Sequence, residues 1–413
     1  MSNLYEFPFG QKEQPAQQEP QLKDYSRSAR RWWRGRMDLP FLLLTLLLLV
    51  TGLVMLLSAS FASSYYETLQ ESGTPNPTSY FVRQSIFAFI GIVAMMIMSF
   101  VPLSFLRRFS IWGFIASVVL LLGVKMTGLD GGGAVRWISI GGQTFQPSEL
   151  VKAAMVLLFA DWCTRFADRM HSARWGVLPF LVAMGIIGFL LMLQPHLSAT
   201  IIILGLGVIM MFAGGTKFYW FPIFFVGAWL IFRFVEANQE LFLSISERFA
   251  YIYDRLDAWR DPEAVRLGSG WQIMQSLYAI GSGGLLGQGL GQSRQKYQYL
   301  PEEHNDYIFS IICEELGFIG ATLILLLFAV LIVRGFWLAL HCNERFDRMM
   351  VIGLVSLLTL QVFLNVAVVT NLIPSTGISL PFFSYGGTAL SIQLAEMGIV
   401  LSVSRQMKPT KAG

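Results

Sequence analysis

Ten long apolar stretches run through this chain, and about 20 apolar residues in a row fit one use above all, a helix crossing a lipid bilayer. Cut at charges and at Gly, Pro and Asn clusters, they are Pro40–Ser60, Gln84–Pro102, Phe109–Leu129, Glu149–Trp162, Val177–Leu193, Leu197–Gly215, Phe218–Phe232, Tyr307–Val333, Met349–Thr370 and Leu380–Val403. The break between the fifth and sixth rests on Gln194-Pro195-His196, too polar for the bilayer centre and holding a proline that cannot continue a helix ladder. With 54% hydrophobic and 14% charged residues, an ordinary soluble surface is excluded. The expected fold is an all-α polytopic integral membrane protein with about ten transmembrane helices.

Lys and Arg in short connections set orientation, because cytoplasmic loops carry the excess. With both termini cytoplasmic, the inner segments hold 19 such residues and the four short outer loops only Arg83 and Arg136. That contrast orients the chain and favours an even number of spans. Residues 233–306, between the seventh and eighth spans, then form one large extracellular loop, long enough to be expected to carry function. The chain divides into a cytoplasmic tail over 1–39, a transmembrane domain over 40–403 and a cytoplasmic C-terminal tail over 404–413.

The N-terminal tail, rich in Gln, Glu and Pro, is expected to be disordered, and Arg27, Arg30, Arg31, Arg34 and Arg36 follow it beside the first span. This basic run could contact anionic lipid or simply anchor the topology. Ser58-Ala59-Ser60 resembles a cleavage site, but the apolar stretch before it is too long for a signal peptide and is read as a retained span. None of Cys163, Cys313 and Cys342 falls in the large loop, so no disulfide framework is implied. The four histidines are scattered without metal-ligand spacing, and no metal site is expected. The glycines from Gly281 to Gly291 lack the Gly-Lys-Ser/Thr ending of a phosphate-binding loop, so nucleotide binding is rejected, and no nucleic-acid partner is expected. No repeat relates the two halves, which disfavours a transporter.

Polar residues at membrane depth cost free energy and usually face a cavity or a partner. Asp306, Ser310, Cys313, Glu314 and Gly317 recur at helical spacing from the outer end of the eighth span, with the acid at its mouth. Glu149 and Lys152 are neighbours on one helical face at the outer end of the fourth span, either as a structural ion pair or as part of a site. Arg136 and Trp137, just before them, add a cation and an aromatic ring suited to an anionic, sugar-bearing substrate. Gln361 and Asn365 read as hydrogen-bonding contacts between helices.

The run "GSGGLLGQGLGQSRQKYQYLPEEHNDYIFSIICEELGFIG" (Gly281–Gly320) resembles the signature of the SEDS family (shape, elongation, division and sporulation), which contains FtsW, RodA and SpoVE. Further matches are "GGAVRWISIGGQTFQPSELVK" (Gly132–Lys152), "QPHLSAT" (Gln194–Thr200), "GWQIMQSLYAIGSGG" (Gly270–Gly284) and "LIPSTGISLPFFSYGGTAL" (Leu372–Leu390). The resemblance covers nearly everything after Pro40 and looks closer to the FtsW and SpoVE branch than to RodA. It implies a peptidoglycan glycosyltransferase that polymerises the lipid-linked disaccharide-pentapeptide lipid II into glycan strands at the outer membrane face, for septal synthesis in cell division. The implied partners are lipid II, the nascent strand, other division-complex membrane proteins and a class B penicillin-binding transpeptidase, docked on the outer loop and the eighth and ninth spans.

In that scheme Asp306 matches the Asp of the family's "LPE-H-D-IF" pattern and is the general base; a helix-capping role is its alternative. His304, two residues earlier, is the rival base. Arg136 and Lys152 would meet the leaving pyrophosphate, with Arg294 and Lys296 as further cations. Glu149 would orient Lys152 or help hold a divalent ion, Mg²⁺ or Mn²⁺, on the pyrophosphate. Trp137 and Trp259 could stack on sugars or anchor the interface. Asn305-Asp306-Tyr307 replaces the commoner Thr-Asp-Phe, Trp271 stands where Tyr is common, and His196 takes a position that is often Asp, so no catalytic role passes to it. A lipid II flippase and a silent scaffold recruiting the transpeptidase are the competing functions.

Overall fold

Helix occupies each of the ten apolar stretches. The structure, a computed structural model, describes residues 35–127, 129–131, 134–140, 143–194, 196–238, 248–265 and 268–406. The arginine run before residue 35 therefore lies outside the described residues. In chain order the helices are α1 Leu39–Ala59, α2 Phe61–Ser72, α3 Ser79–Met98, α4 Leu103–Arg108, α5 Ser110–Thr127, α6 Pro147–Arg165, α7 Ala173–Gly176, α8 Leu178–Met192, α9 Leu197–Gly214, α10 Trp220–Ala237, α11 Arg248–Arg260, α12 Ser269–Gly283, α13 Ile308–Leu340, α14 Arg345–Val369 and α15 Gly387–Gln406. Eight helices among the described residues are long and apolar enough to cross a membrane, the stretch Ala173–Met192 counting as one. The apolar part of α5 is shorter, Ser110–Val124, and α6 carries Glu149, Lys152, Asp161 and Arg165.

The bundle is arranged around α14, which buries Leu354, Leu357, Leu358 and Val362 and packs against α13, α6 and α9. Helix α15 lies along α3, where Gly91 and Gly398 admit the neighbouring backbone closely. By contrast α10 buries only Phe221 and sits at the rim, its aromatic surface left to lipid. Inside the bundle Asp161 on α6 is fully engaged, accepting from Arg107 Nε (3.0 Å), Arg165 Nε (2.7 Å) and Ser110 Oγ (2.9 Å). At the same end of the molecule Asp38 caps α1 by accepting from the Phe41 amide and pairs with Arg334.

Three features depart from the sequence expectation, the third inside α13. A small antiparallel sheet, β1 Leu129–Gly131, β2 Ala134–Ile140 and β3 Gln143–Phe145 in the order β1-β2-β3, stands between α5 and α6. Its alternating Val, Trp and Ile residues are too few to register against the helical pattern around them. The tenth apolar stretch does not begin a helix at Leu380; α15 starts at Gly387. Pro381 has no amide hydrogen to donate, Phe382 adopts a positive φ of 65°, and the Ser384 hydroxyl accepts from the Leu380 amide at 2.7 Å, so this apolar segment is a buried turn. The long connection after α10 is also structured, holding α11 and α12.

Helix α13 is broken inside. Gly317 has φ 67° and ψ −172°, so the face shared by Ser310, Cys313 and Glu314 ends there and does not continue through Gly317. The loop after α12 fills the gap: the amides of Gln288 and Gly289 donate to the carbonyls of Glu314 and Glu315, and the amides of Phe318 and Ile319 donate to the carbonyls of Gly284 and Leu285. A Cβ on Gly317 would lie 2.2 Å from the Gly287 nitrogen, and one on Gly287 would lie 2.7 Å from the Gly317 nitrogen. Gly317→Ala is accordingly expected to lose at least about 2 kcal/mol from backbone strain alone, read as a lowered unfolding midpoint in detergent; a midpoint equal to wild type would contradict the interlock.

Candidate functional site

Asp306 sits in the turn before α13, and the N-cap position itself falls to Tyr307, which makes no side-chain capping bond. Its carboxylate faces the 375–378 segment: a Cβ on Gly377 would come within 2.9 Å of Asp306 Oδ2 and 3.8 Å of Ser198 Oγ. Ser198, in the first turn of α9, donates to the carbonyls of Thr376 and Gly377. Asn365, deep in α14, donates through Nδ2 to the carbonyls of Asp306 (2.8 Å) and Ile378 (2.6 Å). The contact between helices expected of Asn365 is thus a clamp on the backbone of Asp306. Arg255 on α11 holds the other end of this segment by donating to the Ser375 carbonyl at 2.5 Å.

Glu149 and Lys152 lie at the start of α6, Oε2 to Nζ 2.8 Å, with side chains 9% and 4% exposed. Burial of both makes this a full ion pair rather than a solvated one. Glu396 of α15, also buried, is near enough to interact with both charges. Gln146, just before α6, approaches His196 at the start of α9, Nε2 to Nε2 3.4 Å. Two residues on, Ser198 borders Asp306, so the sequence motifs around Glu149, His196, Asp306 and Gly377 meet at one end of the bundle. Trp137 is on β2, half-exposed; Arg136 precedes it on the same strand, and its side chain lies outside the described residues.

The remaining cations divide. Arg294 is exposed. Lys296 is buried: its Nζ pairs with Glu315 at 3.0 Å and donates to the Gly291 carbonyl at 2.7 Å, with 3% and 0% side-chain exposure for the pair. Its charge is already matched inside the protein. Glu314 accepts from the Ser293 hydroxyl and from the amides of Arg294 (3.0 Å) and Gln295 (3.4 Å), while Glu315 accepts from Ser58 (2.7 Å). Trp259 donates to the Asn371 carbonyl at 3.1 Å. Among the described residues no group of three or more His, Cys, Asp or Glu is arranged to hold a metal ion.

His304 is turned away from this surface into an aromatic pocket. Its ring stacks on Tyr80 at 4.8 Å, and Nδ1 is 3.6 Å from Glu303 Oε1, a carboxylate that also accepts from Ser63. Burial pushes its pKa down, but Glu303, with Glu302 and Glu67 beyond it, raises it by more, leaving it above the ordinary 6.5.

The profile of the cell cycle protein family that takes in FtsW, RodA and SpoVE matches residues 38–409. The chain belongs to that family. It is 41% identical over 374 residues to stage V sporulation protein E of Bacillus subtilis, covering 89% of this chain and 97% of that one. It is 37% identical to a probable peptidoglycan glycosyltransferase FtsW of Trichlorobacter lovleyi, over 90% of this chain and 94% of the relative. Among solved structures, a chain of a peptidoglycan synthase complex that coordinates polymerization and crosslinking superposes with a TM-score of 0.70 at 26% identity, covering 89% of this chain and 98% of that one. The rod shape determining protein RodA of Thermus thermophilus gives 0.62 at 26% identity over 91% and 98%.

Sequence reasoning missed Glu315 as the partner of Lys296 and Gln84 as a clamp on the turn before α15, where it donates to the Ser384 carbonyl (3.1 Å) and accepts from the Gly386 amide (3.2 Å). The available signal was a carboxylate and an amide standing inside apolar spans. Two outcomes follow. Glu315→Gln, which strands the buried Lys296 charge, is expected to cost about 3–5 kcal/mol of stability, and adding Lys296→Met should restore part of it; full stability in the single variant would rule the pair out. Because the folded pKa of His304 is raised, its stabilisation is complete below about pH 6.5 and fades as pH rises through the folded value. Unfolding midpoints should therefore fall over that window in the wild type and change less in Glu303→Gln; parallel pH profiles would contradict it.

Proposed function

We propose that the chain is a peptidoglycan glycosyltransferase that polymerises lipid II into glycan strands at the outer face of the cytoplasmic membrane, for septal synthesis in division, alongside a class B transpeptidase. The observation that carries the reading is Asp306: a carboxylate in a family signature, at the end of the bundle that the Lys and Arg count assigns to the outside, with its backbone clamped by Asn365. The names of the similar proteins support the glycosyltransferase chemistry, and the synthase complex supports a crosslinking partner.

In the proposed reaction Asp306 takes the proton from the C4 hydroxyl of an incoming lipid II as that oxygen bonds to the anomeric carbon of the growing strand. The bond from that carbon to the pyrophosphate breaks, and undecaprenyl pyrophosphate departs with the electron pair. One displacement inverts the anomeric centre and converts an α-linked donor into a β linkage. The base must be held still, because its worth falls steeply with misplacement. Arg136 and Arg294 are the cations we assign to the developing pyrophosphate charge. Lys152, already facing Glu149 and Glu396, is assigned to hold Glu149 and the start of α6 in place. His304 is a weaker candidate for the base, since its neighbouring carboxylates favour the protonated ring.

Glycan-strand synthesis from purified lipid II in detergent, with the transpeptidase present, tests the assignment. Asp306→Asn at matched folding and partner binding should lose about a hundred- to ten-thousand-fold in rate. Strands from both forms would remove Asp306 as the base and promote His304. Strands from neither, with lipid II still translocated in vesicles, would favour a flippase.

A further inference from the structure

At the end of α14 opposite Asn365, two cavities meet. An apolar groove of about 600 Å³ runs between α9, α13 and α14, lined by Ile209, Phe212, Phe336, Leu340, Leu360 and Phe363. It adjoins, through Ala213, a polar pocket of about 350 Å³ lined by His171, Asn343, Arg345 and Arg348 and by the backbone of Gly214 and Gly215. Among the described residues no acid lines this pocket. Arg345 and Arg348 each spend one guanidinium nitrogen on a backbone carbonyl, those of Gly214 and Cys342, both at 3.0 Å. The Nε atoms of both are buried and have no hydrogen-bond partner among the described residues. Two adjacent cations lining one pocket, at the amide end of a helix and with no acid beside them in its wall, favour an anion. None of these residues belongs to the Asp306 site.

We propose that the groove and pocket are one binding site for an anionic phospholipid of the inner leaflet, with an acyl chain along the groove and the headgroup phosphate against Arg345 and Arg348. The occupant must be apolar along its length and anionic at one end. A lipid meets both demands and is supplied by the membrane that the Lys and Arg count places at this end. A partner's apolar helix would cover the groove but leave the two guanidinium groups unanswered. The volume is within the roughly 300–1,000 Å³ of ordinary ligand sites, and the groove opens toward lipid through Phe212, Leu340 and Phe363, all exposed. The proposal is independent of the reaction at Asp306.

The full chain, reconstituted with phosphatidylglycerol and phosphatidylcholine and released into the mass spectrometer, tests it by the lipids retained. Wild type should keep phosphatidylglycerol in preference to phosphatidylcholine. Arg345→Gln and Arg348→Gln should each lower that retention about fivefold, while the lysine variants keep most of it. Thr359→Trp, which fills the groove without touching the arginines, should lower it as well, and it decides the matter should a glutamine variant fail to fold. Equal retention of the two lipids, or phosphatidylglycerol retention unchanged in the glutamine variants, would overturn the proposal. So would displacement of the lipid by inorganic phosphate together with indifference to Thr359→Trp, the signature of a free-phosphate site.

Discussion

Inside a bilayer every backbone amide and carbonyl needs a partner within the protein, and the break in α13 at Gly317 meets that demand with another piece of chain. The loop from Gly284 to Gly289 enters the gap and exchanges hydrogen bonds with both halves of the helix. Immediately beside it Glu314 and Glu315, both buried, collect the hydroxyl of Ser293, the amides of Arg294 and Gln295, the hydroxyl of Ser58 and the ammonium of Lys296. A buried carboxylate short of partners is costly, so these two fix the register of the whole stretch from Ser293 to Lys296. Asp306 follows ten residues after Lys296 on a chain whose course is already set.

A second irregular segment, 371–386, is held by side chains instead. Asn365 takes the Ile378 carbonyl, Ser198 those of Thr376 and Gly377, and Gln84 both Ser384 and Gly386. Ser384 in turn donates to the Asn305 carbonyl at 2.7 Å, and the Tyr385 amide to that of His304 at 2.8 Å. These last two bonds join the two irregular segments at the residues just before Asp306. Helices supply the frame, but the acid is positioned by non-helical backbone pinned at His304, Asn305 and its own carbonyl, with α13 beginning two residues later.

The helical bundle was legible because a 3.6-residue repeat plays no part in it: length and absence of charge suffice, and both survive in a single sequence. Asp306, Glu149 and Lys152 were legible for the converse reason, as ionisable groups standing where apolar residues are the rule. What was not legible has physical sources. Lys296 looks like a solvated loop cation because its partner Glu315 lies 19 residues away, across a fold that spacing does not encode. Leu380–Tyr385 looks like helix because its apolarity comes from burial against α1, where the Phe382 carbonyl packs so closely on Gly52 that a Cβ there would lie 2.3 Å from it. The sheet that carries Arg136 and Trp137 is too short for its alternation to stand out.

Helix α14 separates two kinds of chemistry. From Asn365 to Arg345 is 20 residues of regular helix, about 30 Å, which is close to the hydrocarbon thickness of a bilayer. The stretch between is dominated by buried Leu354, Leu357, Leu358 and Val362, and its one amide, Gln361, is engaged by Gln393. A single lipid cannot reach both ends of such a rod with its headgroup. On the proposed reading, the acid at one end and the guanidinium pair at the other meet molecules from opposite leaflets, joined only by the packed length of α14.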